Sequence, residues 1–557
     1  MADAPPYKAL SYTWGNSSDP RHKVILNGDF FEVRENLWAA IKQLADTGEP
    51  VNIWIDAICI DQENVTERSH QVGMMRAIYG RANQVICWLG PADEKSKLAF
   101  RLARFIRGYC HLNETIIDYF NHFEDDLLLS LFSFASLCQR PYWSRIWIIQ
   151  EISLPDTVII CCGNDSIEWD DFFALSDLID IDGKNDLIKL LHTLGRNNAN
   201  SFIDKVSNTL LLHEWRKDFK SSRIRLYQCL LHHYYRHSTD PRDKIFGLAG
   251  LDSGAYQIEI DYSLSVAQIY TDIATKEIAT SHRLDILTRV THLETDGNRD
   301  LELSLPSWVP DWSLDYSDHS FLQEINRSGP QVYTASKENA ADFCFTPGSS
   351  ELIFKGFQID SIKSLGTCTE MGSGNDYPRA VVTIQSWWNL LRRTSADHNI
   401  STSSQIAFSR TLLVDRMEDD KLGVWNRSSF FLALLGRIAD LSLEHHPHRA
   451  VNPILIEQRI VPEDAGRFDN IFDLVCQNIP RRRFCIGAVG TLCLVPRVAE
   501  EGDIVCLPLG CSHPIVLRPR EDHYIVLGEA YADGWMYGKA IDEMEEGKLM
   551  LQDFEVR

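Results

Sequence analysis

Along the first 165 residues the apolar positions switch between two periods. Tyr7 to Trp14 is a short apolar run closed by Trp14-Gly15, the pattern of a buried strand. Lys23 to Leu26 and Phe30 to Val33 flank Asn27-Gly28, a pair suited to the positive φ angles of a type I′ hairpin turn. Leu37, Ile41 and Leu44 recur at helical spacing. Val51 to Ile60 is apolar except at Asp56 and predicts a strand buried on both faces. Val72, Met75 and Ile78 predict a helix, and Gln84 to Leu89 a strand stopped by Gly90-Pro91. Leu98, Leu102, Phe105 and Tyr109 mark another helix, Leu127 to Cys138 a buried one, and Tyr142 to Ile152 a further one. Thr157 to Cys162 is the last strand before Gly163-Asn164. Strands separated by helices predict an α/β domain over residues 1–165, a parallel sheet with helices on both faces.

The pattern then changes. Residues 166–300 read as mainly helical, with Ser265 placed to cap a helix carrying Val266, Ile269, Ile273 and Glu277. Residues 301–557 read as a mixed α+β region. Its prolines at 306 and 310 make Leu305 to Trp312 an extended, aromatic-rich segment. Residues 340–366 look strand-like and 376–450 helical, and Gly-split apolar runs over 482–540 predict a small β-rich unit of barrel type.

Composition narrows the function classes. The 557 residues carry 55 basic and 78 acidic side chains, a net charge of −23, which disfavours broad binding to nucleic acid or anionic membrane but leaves room for a local basic pocket. No segment reaches the ~18 apolar residues of a membrane span. The N-terminal Met1-Ala2-Asp3-Ala4-Pro5-Pro6 has no basic or apolar signal region, so a cytoplasmic protein is expected. The 14 cysteines are scattered, with no Cys-x-x-Cys, and suit buried reduced thiols. Glu444-His445-His446-Pro447-His448 reads as an exposed loop, and no metal site is expected. Gly-x-Gly-x-x-Gly, the P-loop, Gly-x-Ser-x-Gly and His-Glu-x-x-His are all absent.

Parallel sheets bind ligands outside the carboxyl ends of their strands. Here those ends carry Trp14-Gly15, Asp56 to Asp61, and Gly90-Pro91, an aromatic, acidic and glycine-rich set suited to a ribose-containing ligand. Trp14 either stacks on such a ring or packs under the hairpin. In Trp143-Ser144-Arg145-Ile146-Trp147-Ile148-Ile149-Gln150-Glu151, a carboxylate falls one helical turn after an indole on an apolar helix. Burial there favours the neutral acid, opposed by Arg145. Glu151 is then either a group that stabilises a developing positive charge or half of a structural ion pair.

These residues also carry a resemblance. Tyr7-Lys8-Ala9-Leu10-Ser11-Tyr12-Thr13-Trp14-Gly15, Trp54-Ile55-Asp56-Ala57-Ile58-Cys59-Ile60-Asp61-Gln62, Glu67-Arg68, Trp88-Leu89-Gly90 and Tyr142-Trp143-Ser144-Arg145-Ile146-Trp147 with Gln150-Glu151 resemble, in order, the motifs of the fungal heterokaryon incompatibility (HET) domain. Asp240-Pro241-Arg242-Asp243-Lys244, Pro306 to Trp312 and Gly502 to Val505 resemble segments common in full-length members. The resemblance implies a TIR/flavodoxin-like fold and a role in self/non-self recognition that triggers regulated cell death. TIR enzymes cleave NAD at the nicotinamide–ribose bond with a Glu in a Trp-Cys-x-x-Glu helix. Trp147 to Glu151 keeps that spacing, with Ile148 in place of the Cys. The resemblance thus implies Glu151 as the catalytic residue, Trp14, Gly15, Asp56, Arg68 and Arg145 as nucleotide contacts, NAD as substrate rather than cofactor, and self-association or another incompatibility protein as partner. Arg68 and Arg145 are equally placed to be buried partners of Asp56 and Glu151. Two alternatives stand beside the enzyme: a non-enzymatic signalling module, and a protein recruited to secondary metabolism.

Overall fold

The computed structural model describes residues 5–46, 48, 50–109, 120, 126–178, 196–221, 223–291, 304–314, 333–346, 350–368, 377–395, 400–415 and 475–557. The helical reading of 416–450 and the tract Glu444 to His448 lie outside them. The chain divides into two compact units, Met1–Ser265 and Val266–Arg557.

In the first unit the strands are β1 (Lys8–Tyr12), β2 (Arg21–Leu26), β3 (Asp29–Arg34), β4 (Ile53–Trp54), β5 (Gln84–Trp88), β6 (Val158–Cys162) and β7 (Asp165–Glu168). The main sheet runs β4-β1-β5-β6-β7. Its first four strands are parallel and β7 returns antiparallel to β6. With the separate β2–β3 hairpin set aside, the order is 2-1-3-4-5, the flavodoxin-like doubly wound arrangement with its switch point between β1 and β5. Alternation along the strands sends side chains to opposite faces. Leu10, Tyr12, Ile86 and Trp88 pack with Leu37 and Ala40 of helix α1 (Glu35–Ala45) on one face. Ser11 and Cys87 turn to the other, toward Tyr142. The hairpin turns at Asn27 and Gly28, with φ of 54° and 95°, as their sequence requires.

Two elements differ from the sequence reading. The predicted strand Val51 to Ile60 is only Ile53–Trp54, because Asp56 opens a short helix, α2 (Asp56–Cys59). Its Oδ1 accepts the Ala57 N–H at 2.7 Å, satisfying one of the free donors of a helix start. The predicted helix Tyr142 to Ile152 is broken. Pro141–Ser144 is a 3₁₀ turn, and Ser144 to Ile146 then pairs with a distant segment, His237 donating to Ser144 O at 2.7 Å and Ile146 to His237 O at 3.0 Å. Helix resumes only over Ile148–Ser153. Further helices of the unit include α3 (Val65–Gly73), α4 (Met75–Arg81), α5 (Glu94–Tyr109), α6 (Leu127–Cys138), α7 (Ile148–Ser153), α8 (Arg196–Ser221), α9 (Leu226–His233) and α10 (Asp243–Ala249).

The second unit begins with helix α11 (Val266–Ser281) and is dominated by sheet. Strands β8 (Phe343–Phe345) and β9 (Leu352–Leu365) precede helices α12 (Tyr377–Thr394) and α13 (Thr402–Leu413). After them come β10 (Arg482–Gly487), β11 (Leu492–Pro496), β12 (Ile504–Pro508), β13 (Ile515–Pro519), β14 (Tyr524–Glu529), β15 (Tyr531–Ala532) and β16 (Gln552–Val556). Pairings β9–β12–β13–β14–β16–β9 close a five-stranded ring, while β10, β11 and β15 extend the sheet from the far half of β9. The ring thus needs β9 and β16, both outside the 482–540 window that the Gly-split runs marked. Trp308 and Trp312 are buried, and Ser307 Oγ accepts the Val526 N–H at 3.2 Å. Among the described residues no helix is long and apolar enough to cross a membrane, and no group of three His, Cys, Asp or Glu is placed to hold a metal ion.

Candidate functional site

Helix α7 has six residues, too few to hold itself, and long-range bonds fix it. At its start the Trp147 indole donates to Asp243 at 3.2 Å. In its middle the Gln150 amide donates to Phe246 O at 3.0 Å. Past its end the Arg216 guanidinium binds Ile152 O, with Pro155 O and Asp156 O each at 3.0 Å, supplying donors to carbonyls that a helix end leaves free. The Asp240-Pro241-Arg242-Asp243-Lys244 motif is this clamp: Arg242 forks onto Asp240 at 2.9 and 2.7 Å, and Asp243 takes Trp147 and the Tyr262 hydroxyl, the latter at 2.6 Å.

The clamp delivers Glu151 beneath the carboxyl end of β1. Ser11 Oγ hydrogen-bonds its carboxylate and also lies 2.7 Å from the Tyr142 hydroxyl. Arg145 Nη1 stands 3.6 Å from Glu151 Oε2, an ion pair beyond hydrogen-bond range, and this nitrogen is buried with no hydrogen-bond partner among the described residues. Asp56 also feels the charge of Arg145. Its Oδ2 accepts the Trp14 indole N–H at 2.8 Å, and the Tyr12 hydroxyl also bonds it. Glu151 is 2% exposed and Asp56 8%.

Two carboxylates therefore share one guanidinium out of water. Burial pushes the Glu151 carboxyl above its ordinary value, against the pull of Arg145 and Ser11, and Asp56 adds to the rise. Burial likewise raises Asp56, with Arg145 and Trp14 opposing. Burial works against the charge on Arg145, but Glu151 and Asp56 outweigh it and hold its pKa above the usual value. Such convergent perturbation at a strand end makes this cluster a candidate functional site.

Of the residues singled out from sequence, Trp14, Asp56, Arg145 and Glu151 come together. Trp14 is half-buried against the hairpin side of the core while its indole nitrogen serves Asp56. Gly15 follows with φ of 76°, where an added Cβ would meet Asp19 at 2.3 Å. Arg68 does not join them: its guanidinium lies 3.9 Å above the Tyr262 ring, beside the Asp243 clamp. Ser11, Tyr142 and Tyr79 were assigned no role from sequence. Strand alternation puts Ser11 on the face opposite Tyr12, a signal that was available; Tyr79 and Tyr142 are fully buried phenols without one.

Comparison with known proteins finds two matched segments in the chain. Residues 7–151 match the family model described as heterokaryon incompatibility protein (HET), and residues 465–551 match the Het-6 beta-barrel domain. Heterokaryon incompatibility protein 6, OR allele, of Neurospora crassa is 23% identical over 643 aligned positions, spanning 99% of this chain and 92% of the relative. No solved structure matches the chain significantly.

Proposed function

The chain is a heterokaryon incompatibility domain protein, and from that premise we propose that it serves fungal self/non-self recognition in the cytoplasm as an effector of regulated cell death, by a TIR-like hydrolysis of NAD. One observation carries the reading: the buried Glu151 and Asp56 share the charge of Arg145 at the carboxyl end of β1, beside the switch point where this strand order binds nucleotides. The chemistry asks little more of the protein. Nicotinamide leaves as a neutral molecule, so no strong general acid is required. The ribose passes through an oxocarbenium-like transition state, which one nearby carboxylate stabilises.

Glu151 is shut from solvent, so the arrangement described is a resting one. Arg145, 17% exposed and only loosely tied, is the movable cover. A pyrophosphate drawing Arg145 outward would uncover Glu151 and remove its counter-charge together, leaving an anion to face the developing cation. Self-association is the expected trigger.

The test is nicotinamide release from NAD by the concentrated, purified full-length protein. Wild type is expected to release it and Glu151→Gln, which keeps size and hydrogen bonding, to lose at least about 100-fold in rate. Equal rates in the two proteins would remove Glu151 from the mechanism. The same burial favours a second reading, a non-enzymatic signalling module in which Glu151 is a structural partner of Arg145. Cell death on expression that survives Glu151→Gln, with no nicotinamide release by either protein, selects it.

A further inference from the structure

The second unit holds a cavity of about 440 Å³ at one end of its strands, where β10 begins, β11 ends, and β13 turns into β14. Arg483, Arg497, Arg518 and Arg520 line it, and Ile525 and Leu527 give it an apolar wall. In a chain of net charge −23 such a concentration of guanidinium groups is unexpected.

The arginines divide into scaffold and contact. Arg518 is neutralised: it binds Asp503 at 2.9 and 3.0 Å and Glu500 at 3.3 Å, and donates to Val498 O at 2.7 Å. It fixes the 498–503 loop as one wall. Arg483 is held differently. Its Nε donates to Gly366 O and its Nη1 to Ala499 O, both at 2.9 Å, so neutral carbonyls orient its fork while its charge stays uncompensated by any carboxylate among the described residues. The exposed Arg520 side chain has no hydrogen bond or ion pair among the described residues. Arg518 is thus balanced by Glu500 and Asp503, while Arg483 and Arg520 pair with no carboxylate among the described residues, beside a hydrophobic wall.

Planar guanidinium forks match phosphate oxygens in pairs, and a preset fork loses less freedom on binding. The volume falls within the roughly 300–1,000 Å³ usual for small-molecule sites, and a barrel mouth is a common place for one. We propose that this cavity binds an organic phosphate. Its phosphate or diphosphate sits on Arg483 and Arg520, and its carbon portion lies against Ile525 and Leu527. The site is separate from the Glu151 cluster and does not depend on NAD hydrolysis.

The experiment titrates the full-length chain with sodium pyrophosphate, ADP and adenosine by calorimetry. In parallel, phosphatidylcholine vesicles with and without phosphatidylinositol 4-phosphate are pelleted with it. ADP and pyrophosphate are expected to bind and adenosine not to. Binding of ADP assigns a soluble phosphate ester; capture only by phosphoinositide vesicles assigns a lipid headgroup. Arg520→Glu should weaken the bound partner by roughly 10- to 100-fold, with the unliganded melting temperature kept. Arg483 is left intact because it ties two loops. No binding in any arm, or affinity undiminished in Arg520→Glu, overturns the proposal. So does ADP binding that vanishes in Glu151→Gln but persists in Arg520→Glu, which places the nucleotide at the other site; Glu151→Gln binding ADP as wild type does supports the barrel cavity whatever becomes of NAD hydrolysis.

Discussion

Each unit buries a glutamate beside an arginine, and the two behave oppositely. Glu529 in the barrel unit is hydrogen-bonded by Arg482, lies 3.1 Å from His513 Nε2 and feels Arg289 as well. Burial would raise its pKa, but these partners prevail and hold it down at about 2. Glu151 has one guanidinium at 3.6 Å, shared with Asp56, and its pKa rises. A buried charge can be fully compensated or left short, and only the second is costly to keep and responsive to a ligand. The barrel unit spends its charges on staying folded; the α/β unit keeps one in reserve.

The sharpest way to break the comparison is to remove what holds the reserve. A fragment ending at residue 165 contains every motif around Glu151 but none of Arg216, Asp243 or Phe246. It is expected to lose cooperative unfolding by circular dichroism, whereas a fragment ending at residue 265 keeps it. Next in size, Glu529→Ala removes the buried carboxylate that Arg482 and His513 share and should cost about 3–5 kcal/mol in urea unfolding. Equal losses in Glu151→Ala and Glu529→Ala would erase the distinction between the two sites.

Acid should separate the pair in sign. Glu529, lowered from 4.5 to about 2, adds roughly 3 kcal/mol above its unfolded pKa, and this is lost as pH falls toward 2. The raised Glu151 and Asp56 do the reverse: their contribution is intact at low pH and is lost as pH rises through their folded values. Glu529→Gln should therefore be destabilised at pH 7 and converge on wild type below pH 3. Glu151→Gln should be the more stable protein at pH 7 and lose that advantage on acidification. Melting temperatures across pH decide both. The smallest effect is at the rim, where Trp14→Phe removes one bond to Asp56 and should cost about 1 kcal/mol in chemical unfolding.

Most strands of the first unit were readable because buried strands and Gly-bearing turns are local signals. Leu127–Cys138 even keeps its predicted ends. What stayed hidden was set by distance along the chain. Nothing near Ser144 announces that His237 will claim its backbone, so a broken helix read as continuous. Arg68 looked like a companion of Asp56 because the two are close in sequence, but Tyr262 takes it. Trp147 and Glu151 were legible as a spaced pair. That the indole serves the Asp243 clamp while the carboxylate serves the cluster was not, since one turn of helix does not say which way each side chain leaves it.

The ring of the second unit closes on β16, whose residues 552–556 pair with Leu352 to Gly356. During synthesis this closure waits for the last strand, while the first unit has all its residues by Ser265. About 290 residues separate the two events, roughly 15 to 60 s at ordinary translation rates. For that interval the ribosome carries a completed incompatibility domain ahead of an unfinished barrel. On the proposed mechanism, the opening that exposes Glu151 must be slow or partner-dependent, or each new chain would act before its barrel closed.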